Sequence, residues 1–185
     1  DEIVPEPESG RPVETRRSVF RGRVVEHQVV DGWAILEGDM VLGRIEDLAP
    51  AGEKQQDERN STAVENTYYR WPNGTIPYII DATLPNQDRV LAAVSHWNTH
   101  VAGHLQLVPR TTETYYLRFV RPASASNCSS SIGFMRLAGQ VLSLGDSCST
   151  GNAIHEIGHA VGLYHEHSRP DRDGYVRVLT ANIDP

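Results

Sequence analysis

The stretch His155-Glu156-Ile157-Gly158-His159-Ala160-Val161-Gly162-Leu163-Tyr164-His165 decides how the chain is read. An α-helix turns once in about 3.6 residues, so His155 and His159 share one face, where both imidazoles can reach a single ion. Glu156 is adjacent to that face. A carboxylate there can take a proton from a zinc-polarised water and later hand it to a leaving amine. Gly162 stands three residues after His159, where a left-handed residue ends a helix and turns the chain sharply. His165 follows three residues later, so the turn returns a third imidazole to the same place. Three neutral nitrogens and one open position describe a catalytic zinc site rather than a closed structural one. The expectation is one Zn2+ ion on His155, His159 and His165, with Glu156 as general base and acid. A His-Glu-x-x-His run alone also fits a helix with paired surface histidines; Gly162 and His165 argue for the metal.

Upstream, Val90, Leu91, Val94, Trp97 and Val101 recur at helical spacing, with Asn86 as the expected N-cap and Gly103 as the stop. His96 and His100 lie on that helix without a carboxylate neighbour and read as surface residues. Strands are expected at 76–80, 105–108, 115–120, 132–134 and 141–144, with a Ser- and Asn-rich loop before Ile132. Toward the N-terminus the pattern changes. Residues 1–17 are rich in Pro, Glu and Arg and read as an extended arm. Residues 19–30 and 33–42 read as short hairpin pieces around the turn dipeptide Asp31-Gly32. The run GEKQQDERN, residues 52–60, reads as an exposed, cleavable linker.

Composition supports a boundary there. Residues 1–61 hold 14 acidic and 8 basic side chains, against 10 and 9 in residues 62–185, so nearly all of the net charge of −7 sits in the first third. No basic patch exists to neutralise phosphates, which argues against a nucleic-acid partner. No run of about 18 apolar residues suggests a membrane span. The chain opens at Asp1 without the basic start and apolar core of a secretory signal.

The stretch from His155 through Arg169, Asp171, Arg172, Asp173 and Tyr175 to Val176 resembles the extended zinc motif of the astacin metallopeptidases, a branch of the metzincins. The resemblance extends to residues 71–80, the helix ending near Val101, and residues 108–113. It implies an α+β fold: a metzincin-type N-terminal subdomain with a twisted, mostly parallel sheet, two long helices and an antiparallel edge strand, expected near Cys128 to Gly133, along which an extended substrate would pair. A small irregular propeptide is expected to precede it. The resemblance divides the chain into an inhibitory propeptide, 1–61, and a peptidase domain, 62–185. The C-terminal subdomain is expected to be missing, since Met40 and Met135 both precede the zinc motif and leave no Met-turn.

It also implies roles for single residues. Glu166 would anchor the freed N-terminus of the mature enzyme. Cys128 and Cys148 would be bridged, which implies an oxidising, extracellular setting. The family's second bridge is excluded because His104 stands where a cysteine is needed. Leu36-Glu37-Gly38-Asp39-Met40 resembles the propeptide motif in which an aspartate takes the zinc position of the catalytic water, making Asp39 the expected zymogen ligand; Gly-Asp is otherwise an ordinary turn. Protein or peptide substrates and an activating protease cutting near Arg59 are the expected partners. The expected product is a secreted, latent zinc metalloendopeptidase. The competing readings are a non-catalytic zinc-binding recognition module, an inactive fragment, or a structural zinc site.

Overall fold

The computed structural model describes residues 13–52 and 63–182, and the linker, the region around Arg59 and most of the N-terminal arm lie outside the described residues. In the first region the sequence makes a regular meander: β1 (Glu14–Phe20), β2 (Arg23–Val30), β3 (Trp33–Leu36) and β4 (Met40–Arg44), with the short β5 (Ala49–Pro50) returning beside β1. The expected irregular propeptide is therefore corrected, and residues 14–17 belong to a strand rather than an arm. Two-residue hairpin turns of type I′ need positive φ at both central residues. Arg21-Gly22 (52° and 80°) and Asp31-Gly32 (47° and 81°) both supply it. The third turn, residues 37–39, joins Leu36 to Met40.

The second region follows the expected plan. It comprises β6 (Thr75–Ile80), α1 (Asp88–His100), β7 (Gln106–Pro109), β8 (Leu117–Val120), β9 (Cys128–Ser131), β10 (Gln140–Leu144) and α2 (Thr150–Val161). Strands β7, β6, β8 and β10 run parallel, and β9 is antiparallel to β10 at the edge. Ile76, Leu107, Leu117, Phe119, Leu142 and Leu144 form the core with Val90, Ala93 and Val94 of α1 and Ala153, Ile157 and Ala160 of α2. Each large apolar side chain among them, fully buried, contributes roughly 1.5–3 kcal/mol of hydrophobic stabilisation.

Local details depart from expectation. Asn86 does not cap α1; it adopts φ 53°, and Gln87 takes the cap position without a side-chain bond. Leu91, a member of the expected apolar stripe, is half exposed. Tyr115 and Tyr116 precede β8, and residues 132–134 lie outside the strands. The serine-rich run that local patterning reads as a loop carries the edge strand β9, within the 128–133 span expected for it. Serine has little strand propensity, but β9 is paired on both sides, and pairing overrides propensity.

The two regions share one ten-stranded sheet, ordered β5-β1-β2-β3-β4-β9-β10-β8-β6-β7. The join is β4 on β9, parallel, with Met40 opposite Ser130 and Val41 opposite Ser131. Below it Phe20, Leu36, Met40 and Leu42 pack with Val64, Ile132 and Tyr164 of the second region. The meander is thus docked through an apolar core as well as through backbone hydrogen bonds.

Candidate active site

α2 is set by its ends. Ser149 accepts from the Asn152 backbone N–H while the Asn152 side chain accepts from that of Ser149, a reciprocal capping box that satisfies two otherwise unpaired donors. At the other end Gly162, φ 119°, turns the chain as the sequence requires. A Cβ there would also lie 2.5 Å from Val64 Cγ2, so glycine is needed for space as well as for conformation. The Cys128–Cys148 disulfide is formed and ties β9 to the approach of α2, with Cα atoms 6.1 Å apart.

This frame brings three imidazoles together. His155 Nε2 lies 3.0 Å from His165 Nε2 and 3.0 Å from His159 Nε2. From the meander, Asp39 Oδ2 lies 3.3 Å from His155 Nε2 and 3.2 Å from His165 Nε2, and Oδ1 lies 3.8 Å from His159 Nε2. Ligands at about 2.0–2.1 Å around a tetrahedral zinc would stand about 3.3 Å apart, close to these edges. Two further observations fit a cation. The His159 Nδ1 donates to the Leu163 carbonyl at 2.8 Å and the His165 Nδ1 to Glu37 Oε2 at 2.7 Å, which leaves a lone pair on each Nε2 facing the centre. The buried Asp39 Oδ1 has no hydrogen-bond partner.

The electrostatics agree. Burial opposes the charge of Asp39, but the imidazoles of His155, His159 and His165 around it outweigh that and hold the carboxyl well below the usual range. His165 is raised to about 9, first by Asp39 and then by Glu37, so the cluster attracts positive charge. Glu156 is 1% exposed and pushed up to about 9 by burial and by the Asp39 charge. Its Oε2 is buried without a hydrogen-bond partner.

The family model for Astacin, a peptidase family, matches residues 63–185. The chain belongs to the astacin family. This astacin is 31% identical over 168 residues to human Tolloid-like protein 1, covering 86% of this chain and 16% of that protein. It is 33% identical over 165 residues to Nematocyst expressed protein 6 of Nematostella vectensis, covering 86% and 55%. The chain thus spans about half or less of the length of these curated relatives. Among solved structures, the hatching enzyme zinc-protease High choriolytic enzyme 1 of the medaka Oryzias latipes superposes with a TM-score of 0.51 at 30% identity, over 64% of this chain and 61% of that one. An astacin fold and a histidine cluster able to hold a metal ion establish zinc as the cofactor.

Other expected positions are elsewhere. Glu166 is exposed and pairs with Arg169 at 3.2 Å. Ala63 bridges Leu163, and the Val64 N–H donates to the Gly162 carbonyl at 2.8 Å, so the chain after the linker runs beside the turn that carries His165. His96 and His100 stack on an exposed face of α1, ring centroids 4.1 Å apart, outside the metal-capable groups found among the described residues. Tyr175 is 77% exposed under Arg169, away from the cluster. No helix among the described residues is long and apolar enough to cross a membrane. Sequence reading misses Glu37, although its adjacency to Asp39 in one short turn is the available signal.

Proposed function

We propose that this chain is the latent precursor of a secreted zinc metalloendopeptidase, with residues 1–61 as an inhibitory prosegment and 62–185 as peptidase domain. The observation that carries the reading is the convergence of Asp39, His155, His159 and His165, whose ligand atoms all lie within 4.8 Å of one another. His155, His159 and His165 hold zinc, and Asp39 takes the fourth position. When bound, zinc supplies Lewis acidity, polarising the scissile carbonyl and lowering the pKa of water at the open position. With the Asp39 charge removed and a metal cation beside it, Glu156 would be ionised, would accept the proton of the attacking water and would deliver it to the leaving amine nitrogen as the peptide C–N bond breaks. Its burial in α2 keeps the carboxyl out of bulk water.

The substrate is a protein or peptide lying extended on the edge strand β9 and pairing through its backbone. In the precursor that edge is taken: β4 pairs with it, and the Ser130 N–H donates to the Asp39 carbonyl at 3.0 Å. An activating protease cutting near Arg59 removes the meander and frees both the metal position and the edge. The new N-terminus, next to Ala63, then reaches Glu166. The disulfide agrees with an oxidising, extracellular setting.

The test is Asp39→Ala. The unprocessed variant should show partial cleavage of a fluorogenic peptide where the parent shows none, because β4 still covers β9. A zinc-edge spectrum of the parent should show a carboxylate oxygen at about 2.0–2.2 Å; water in that position would reduce the prosegment to a steric plug. Glu166→Ala should lower the melting temperature of the mature enzyme while leaving its zinc content unchanged.

A further inference from the structure

The turn that delivers Asp39 delivers a second carboxylate. Glu37 Oε2 accepts from His165 Nδ1 at 2.7 Å. Glu37 holds the position at φ 52°, a left-handed conformation in which a residue with a long side chain is uncommon. Asparagine or glycine would make the turn at lower cost, so the turn alone does not call for glutamate. Local strain of this kind persists where the surroundings hold it and is a pointer to function.

His165 is the one histidine of the cluster that α2 does not carry. It sits past the helix-ending Gly162, so its ring direction depends on the contacts it makes. A hydrogen bond from Nδ1 to a carboxylate fixes the tautomer, keeps the Nε2 lone pair on the metal side and raises the basicity of the ligand. His159 obtains the same support from its own region, through the Leu163 carbonyl.

We propose that Glu37 is a positioning residue for the metal centre of the precursor, orienting His165, so that the prosegment supplies both a zinc ligand and the support of another. This rests on the zinc reading above. Removal of the prosegment then takes away Asp39 and the Glu37 support of His165 in one event.

The experiment uses the unprocessed chain loaded with zinc, and follows metal release into a chromogenic chelator. Glu37→Gly should release zinc about 10–100-fold faster than the parent, the usual loss when a supporting carboxylate is removed. Glu37→Gln, which keeps an acceptor but no charge, should fall between the two. In the cobalt-substituted chain, Glu37→Gly should shift the visible absorption bands and Glu37→Gln should restore them in part. Exposed Glu46→Ala, in the same region, serves as the control and should match the parent. Parent-like release and parent-like cobalt bands in Glu37→Gly would overturn the inference and leave Glu37 as a turn residue. A parent chain that takes up no zinc would instead overturn the metal reading, and this inference with it.

Discussion

Residues 14–50 and residues 63–182 share a single sheet but are built by opposite routes. The first region is a meander whose neighbours in sequence are its neighbours in space, closed by tight turns at Arg21-Gly22 and Asp31-Gly32. The second is a parallel sheet needing crossovers, with α1 and α2 packed against it and a disulfide joining β9 to the approach of α2. The chemistry is divided the same way. The second region fixes three histidines and Glu156 on a helix and the turn after it. The first brings only carboxylates, Glu37 and Asp39, on one short turn. Under the proposed latent-precursor reading, a removable part that carries ligands but no base would silence the site without being needed to run it.

The division is open to test by substitutions that act on one region. Glu156→Gln lies wholly in the second and should lower peptide cleavage by the activated enzyme by about 10²–10⁴-fold, the usual contribution of a general base, while bound zinc measured by atomic emission stays the same. Retained activity would remove Glu156 from the mechanism. Ile35→Ala lies in the first region, where Ile35 is 2% exposed and packs with Val30 and Val41, and should cost about 2–5 kcal/mol. Proteolysis of residues 14–50 should accelerate while the histidine cluster keeps its zinc. Loss of zinc in step with proteolysis would mean that the two regions fold as one unit.

The converse comes from Cys128→Ser with Cys148→Ser, which opens a loop spanning a sequence separation of 20 and should cost about 3 kcal/mol in denaturant unfolding. Hydrogen exchange should quicken in β9 and α2, and in β1 and β2 much less. Two thiols alkylated without reductant in the secreted protein would show that the bridge does not form. The smallest effect is expected from Ser149→Ala, which removes the cap of α2 and should cost about 1 kcal/mol with no change in the meander.

Legibility in the sequence follows how local each feature is. The spacing of His155, His159, Gly162 and His165 encodes a helix, its end and a return within one short stretch, so the cluster can be read before any fold is known. Asp39 is legible only through resemblance, because nothing within the first region indicates what its carboxylate faces. By local pattern β9 reads as loop, since Ser129, Ser130 and Ser131 carry no apolar alternation, and an edge strand is expected there only through the resemblance; their order comes from β10 on one side and β4 on the other.

The sequence by itself pointed to the clustered histidines, because their spacing is carried in one stretch, and to the two helices through short-range periodicity, while the mostly parallel sheet came with the resemblance to a family. Only the tertiary structure decided that the first region is a regular meander and that β4 occupies the edge of the second sheet. It alone placed Glu37 on His165, 128 positions away along the chain. Such contacts join residues whose spacing carries no period, and they form when two apolar surfaces, Met40 and Leu42 on one side and Ile132 and Tyr164 on the other, leave water together.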